Sequence, residues 1–161
     1  MKFKFHRLNC FWLLVPILGW NLALTPHLAR ARPVSDAGVS QFVLAAEWAL
    51  RIAIFAWPLF LSLRWDRRPG RAGLLVYGLG VLVYFASWLP LIFLPESPWS
   101  TSAAGLLAPA YTPLIWLSGI ALVGGSRGYA ALSLLFVVVH VYHHILAHGL
   151  LNVAWATAVV V

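Results

Sequence analysis

Five apolar stretches follow one another along this chain, separated by short polar breaks. The pattern predicts helices over about 9–25, 42–63, 72–94, 103–123 and 129–151, each near the 20 or so residues that cross a bilayer core. The fold class expected is all-α: an integral membrane helical bundle of five transmembrane helices, with residues 1–161 as a single domain. A four-span arrangement would merge or lose one segment.

The first stretch, Cys10 to Leu24, follows the basic residues Lys2, Lys4 and Arg7. With Ala29-Arg30-Ala31 behind it, this segment has the layout of a cleaved signal peptide. The length of the run, and Trp12, Pro16, Trp20 and Asn21 within it, favour a retained first span bent at Pro16. Thr25 to Gln41 reads as a polar connector ending in Ser40, a suitable helix cap. In the second stretch Ala45, Ala49, Ala53 and Ala56 form a small-residue stripe opposite Glu47, which suits close packing on both faces and a central position. Gly73, Gly78 and Gly80 mark the third helix for close approach, and Ser87-Trp88-Leu89-Pro90 for a bend. In the fourth, Pro109 and Pro113 predict a short piece to Ala108, a break, and a helix from Pro113.

Composition agrees with the pattern. Of the 161 residues 62% are hydrophobic and 9% charged, against about 25% charged in a soluble domain. Mean hydropathy is +0.87. The net charge of +7 reads as basic loops on one side of a membrane. No hydrophilic module is present to offer a basic face to nucleic acid. The single cysteine, Cys10, excludes an internal disulfide framework and a CxxC pair.

Charge also sets orientation. With five spans, Lys2, Lys4, Arg7, Arg64, Arg67, Arg68, Arg71 and Arg127 fall on one side, and Arg30 and Arg32 on the other. The turn holding Arg64, Arg67, Arg68 and Arg71 is the strongest topology-determining feature. The asymmetry predicts a cytoplasmic N-terminus and an outer C-terminus, in a membrane of the bacterial inner (plasma) type.

Candidate chemistry lies on the second and fifth helices. Glu47 and Arg51 are spaced to pair on one helical face. The last helix carries His140, His143, His144 and His148. Relative to His140, His144 falls near about +40°, His148 near +80°, His143 near −60°, Ser133 near +20° and Asn152 near +120°. Ionisable groups in a bilayer face protein or a wet cavity. Counted from Phe42 and Leu151, Glu47 and His144 share a depth of roughly 7–10 Å, and Arg51 and His140 one of roughly 13–16 Å. If the two helices touch, Glu47, Arg51, His140, His143, His144 and His148 form one polar site in the outer half of the bundle.

Three readings of that site stand side by side. It is a path for protons or a small solute, in a carrier or in a subunit of a membrane complex. It holds zinc, iron or haem on His140, His144, His148 and Glu47. Or it is a polar network with a structural role. His140-Val141-Tyr142-His143-His144 resembles the HxxHH box of membrane di-iron desaturases and hydroxylases. Those enzymes carry several boxes where this chain has one, His6 and His27 being isolated. The chain is not assigned to that family, and a role without catalysis or cofactor is the leading expectation. The partners expected are the lipid bilayer and a second copy or a membrane-complex subunit.

Overall fold

The computed structural model describes residues 9–31 and 35–151. Lys2, Lys4, His6, Arg7, Arg32, Pro33 and the tail from Asn152 onward lie outside the described residues. Helices in chain order are α1 (Val15–Ala31, led in by a 3₁₀ turn, Cys10–Leu14), α2 (Gln41–Ala56, extended by a 3₁₀ turn, Trp57–Phe60), α3 (Arg68–Phe93), α4 (Pro98–Thr101), α5 (Ala103–Tyr111), α6 (Pro113–Gly124) and α7 (Arg127–Ala147). Among the described residues there is no strand, only an isolated bridge between Asn9 and Ser62. Five helical stretches are long and apolar enough to cross a membrane: Cys10–Ala31, Gln41–Phe60, Arg68–Phe93, Ala103–Gly124 and Arg127–Ala147.

α6 is the centre of the bundle. Trp116, Leu117, Ile120, Ala121 and Val123 are all buried, beside Tyr84 and Trp88 of α3 and Phe136 of α7. α3 and α6 meet along a glycine seam. A Cβ added to Gly73 would lie 2.8 Å from the Val123 backbone nitrogen, and one added to Gly80 2.8 Å from the Cα of Trp116. Gly119 of α6 answers them: its Cβ would lie 2.6 Å from the Cα of Tyr77. Bare backbone on both sides lets the two axes approach this closely. Gly78 takes no part, since a Cβ there would meet nothing within 4 Å.

The expected central place of α2 is not found. Ala45 and Ala49 face outward, as do Phe42, Trp48 and Ile52. α2 packs on α7 through its other face, and the glycines of α3 and α6 take the centre because they permit a closer approach than alanine does.

Prolines shape the rest. α1 does not end at Thr25; it runs through Pro26 to Ala31. Pro26 removes one backbone donor, while Leu24 and Leu28 on either side still pack on the core. The connector therefore shrinks to a short 3₁₀ turn, Asp36–Gly38, and Ser40 caps α2 by accepting from Val43 N–H at 3.4 Å. Pro109 stays inside α5, and the break falls at Thr112, ahead of Pro113.

Two tyrosines, Tyr77 half-buried and Tyr129 buried, answer two other prolines. Pro16 has no N–H to offer the preceding 3₁₀ turn, and Tyr77 donates its hydroxyl to the Leu13 carbonyl at 2.7 Å. Pro58 leaves the Ile54 carbonyl without its helical donor, and Tyr129 supplies one at 3.1 Å. Tyr129 is fully buried. Tyr129→Phe is expected to cost about 1–2 kcal/mol, because the Ile54 carbonyl is then buried without a partner. A denaturation midpoint unchanged from wild type would contradict this.

The bundle has a basic end. Cys10 N–H donates to the Leu61 carbonyl at 2.9 Å, which ties the start of the first helix to the turn carrying Arg64, Arg67, Arg68 and Arg71. Arg64 reaches over Gly125, in the turn before Arg127. At the opposite end lie Ala31, Asp36, the start of α2 and the end of α7.

Candidate functional site

Glu47 sits on the α2 face turned toward α7 and is 2% exposed. A buried carboxylate needs partners for its charge and its lone pairs. It receives three. Arg51, one turn further along α2, pairs with Oε1. His140 Nδ1 is hydrogen bonded to the same oxygen at 2.7 Å. His143 Nδ1 is an ion-pair neighbour of Oε2, though the two are not aligned for a hydrogen bond. The other nitrogen of His143, Nε2, is 3.0 Å from Oδ1 of Asp36. His143 therefore bridges two carboxylates, one buried and one 58% exposed at the bundle end.

The register differs from that counted on the sequence. Glu47 meets His140 and His143, not His144. The reason is where α7 ends. His148 is already the C-cap, and Gly149 turns the chain with φ of 66°, a left-handed conformation that suits glycine. Counting from Ala147 places His140 about 10 Å and His143 about 6 Å from the helix end, which brackets Glu47 at about 9 Å from Gln41.

The remaining histidines continue along α7. The His144 ring stands edge-on to His140, with centroids 4.7 Å apart, and His148 lies beyond it at 5.9 Å. Phe136 stacks on His140 at 5.1 Å. Ser133, on the predicted polar face, is buried and donates to the Tyr129 carbonyl at 2.7 Å; it closes a bond within α7 and does not join the cluster.

Beside the cluster lies a cavity of about 290 Å³. Arg51, His140 and His144 line one part of it; Ile54, Trp88, Trp116 and Phe136 line another. Asn21 and Tyr84 also border it, and the Tyr84 hydroxyl donates to Asn21 Oδ1 at 2.6 Å. The polar cluster therefore reaches from an exposed acid at the bundle end to a partly open cavity among the helices.

As a metal set, the donor atoms that converge among the described residues belong to Glu47, His140 and His143, all within 4.8 Å of one another. His143 takes the place that sequence spacing gave to His144 and His148. For haem, the cavity lining offers histidines from α7 alone, so no axial pair faces across it. The basic residues Arg64, Arg67, Arg68 and Arg71 are remote from the cluster, at the other end of the bundle.

Asp36, Asn21 and Tyr84 are the polar groups that sequence reading left out of the site. Asp36 had a signal: only four acidic residues occur in the chain, and this one precedes α2 at the end where α7 finishes. Asn21 and Tyr84 had none beyond polarity within an apolar run.

No family model, curated protein or solved structure matches the chain. Its function is therefore argued from its own residues.

Proposed function

We propose that this is a multi-pass membrane protein of five spans, N-terminus cytoplasmic, in a bacterial-type inner membrane, and that its buried acid–histidine cluster carries protons between the outer face and the cavity, a space also open to a small solute. Support for insertion comes from the five long apolar helices. Support for orientation comes from the arginines gathered at one end.

The observation that carries the proton reading is the position of His143 between exposed Asp36 and buried Glu47. An imidazole accepts a proton at one nitrogen and releases one from the other. A proton reaching Asp36 passes to His143 at Nε2, and the proton on Nδ1, which has no hydrogen-bond partner in this arrangement, passes to Glu47 once the ring turns to align with Oε2. The opposite oxygen of Glu47 is bonded to His140, which borders the cavity. Arg51 balances the charge of Glu47 between transfers, so no bare carboxylate is left in the interior.

The test is proton uptake by proteoliposomes under a potassium diffusion potential, followed with a trapped pH dye. Wild type is expected to conduct. Asp36→Asn and His143→Gln are each expected to slow uptake at least about tenfold, the scale at which positioned acid–base groups affect proton transfer. Asp36 is exposed, so its replacement tests the relay with little cost to folding. Equal uptake in wild type and both variants, or none in wild type, would defeat the proposal.

The convergence of Glu47, His140 and His143 favours a second reading. Two imidazoles and a carboxylate form a ligand set for zinc or non-haem iron. Asp36 on the far nitrogen of His143 is the outer carboxylate that often orients a ligating histidine. Against it, Arg51 brings a fixed positive charge to the same carboxylate. Metal content of the purified, untagged protein separates the two: stoichiometric zinc or iron that disappears in His143→Ala would establish the metal reading.

A further inference from the structure

The cavity has a lining of one sign. Among the described residues, Arg51, His140 and His144 border it, and no carboxylate does. Arg51 spends one nitrogen, Nη2, on Glu47, and a guanidinium carries five N–H donors. Its plane also rests over Trp48, 5.4 Å from the ring centre, which takes no hydrogen bond. His144 makes ring contacts with His140, His143 and His148 but no hydrogen bond among the described residues. Donors that border a partly open cavity without an acceptor of their own can take an anion or water there. The rest of the lining is mainly apolar and aromatic, with Ile54, Phe55, Trp88, Trp116 and Phe136, and the indole N–H groups of Trp88 and Trp116 are buried without a partner.

We infer that the cavity binds a small organic monocarboxylate, with its carboxylate on Arg51 and His144 and a single ring or short branched apolar body against Trp88, Trp116 and Phe136. One negative charge is specified because one fixed cation lines the space and Glu47 already shares it. A compact body is specified by the volume, about 290 Å³, at the lower end of the range of about 300–1,000 Å³ for small-molecule pockets. This rests on the proton reading in one respect: an anion that travels with a proton is neutral as a pair, which spares it the cost of carrying charge through a bilayer. It names the class of solute that the relay would serve.

The experiment is titration calorimetry on the full chain in detergent, with benzoate, benzyl alcohol and benzylamine as ligands of matched shape and different charge. Benzoate is expected to bind saturably and at least tenfold more tightly than benzyl alcohol, and benzylamine not to bind. The double variant Glu47→Gln with Arg51→Gln removes the cation without leaving a buried charge alone. It is expected to weaken benzoate by about 10- to 100-fold, the worth of a charged hydrogen bond, and to leave benzyl alcohol unchanged. Thr25→Trp adds bulk to the cavity from an exposed position and is expected to abolish benzoate binding. Benzylamine or benzyl alcohol binding as well as benzoate, benzoate indifferent to the double variant, or no saturable benzoate binding at millimolar concentration would each overturn the inference. Proton uptake in ligand-free liposomes without benzoate binding would remove the solute class and keep the relay; benzoate binding without proton uptake would do the reverse.

Discussion

Replacing Arg51 by Leu is expected to destabilise the detergent-solubilised protein by about 3 kcal/mol. The cost falls on Glu47, which is 2% exposed and loses its cation, so it must either bear an unpaired charge or take up a proton. Breaking one partner out of a buried ion pair typically costs about 3–5 kcal/mol. The low end applies here for two reasons. The Arg51 side chain is 36% exposed, so solvent already screens part of the pair. His140 and His143 also stay beside the carboxylate to compensate part of its charge. The double variant Glu47→Gln with Arg51→Leu is expected to recover most of the loss, because a neutral amide replaces the stranded charge. The measurement is a double-mutant cycle on denaturant midpoints. A loss below about 1 kcal/mol in Arg51→Leu would mean that the two histidines hold Glu47 unaided, and that Arg51 serves the cavity alone.

The same cluster shows how far a sequence carries such a site. Glu47 and Arg51 were legible as a pair because helical spacing is local: four residues make one turn wherever the helix sits. The five apolar helices were legible because length and hydropathy are properties of each segment alone. The meeting of α2 with α7 was an assumption on the sequence and a contact in the structure. Its register was off by one turn, because it depended on where α7 stops. Gly149 ends that helix after His148, and an apolar run continuing through Leu150 and Leu151 hid the stop. Asp36 stayed invisible for a related reason. It lies on a 3₁₀ turn outside every apolar run, and what brings it to His143 is the approach of two segments 107 residues apart in sequence. Two proline positions misled, while Pro113 opens α6 as expected. Pro26 and Pro109 sit inside helices, since flanking residues still pack on the core. Nor does a sequence reveal which small residues face a neighbour: Ala45 and Ala49 of the α2 stripe look outward, while one glycine in α6, Gly119, meets α3.

That glycine carries the second large effect. Gly119→Leu is expected to abolish the folded bundle, seen as loss of a monodisperse peak in detergent and of a cooperative thermal transition. Even a methyl at this position would stand 2.6 Å from the Cα of Tyr77, inside any real carbon contact. The obstacle is backbone, which cannot turn aside as a side chain does. Overpacking a core by single methylenes costs about 1–3 kcal/mol, so Gly119→Ala is expected to fall in that range and the full leucine well above it. Parting α3 from α6 would also spread Tyr84, Trp88 and Trp116, which wall the cavity and meet edge to face, with Tyr84–Trp116 ring centres 6.2 Å apart. Gly78→Leu is the matched control. It lies on the same helix as Gly73 and Gly80 and was indistinguishable from them in the sequence, yet a Cβ there has open space. It is expected to change stability by less than about 0.5 kcal/mol, apart from the small gain of replacing glycine within a helix. Equal tolerance at 78 and 119 would show that α3 and α6 are not joined along this seam, and the wall of the cavity would fall with it.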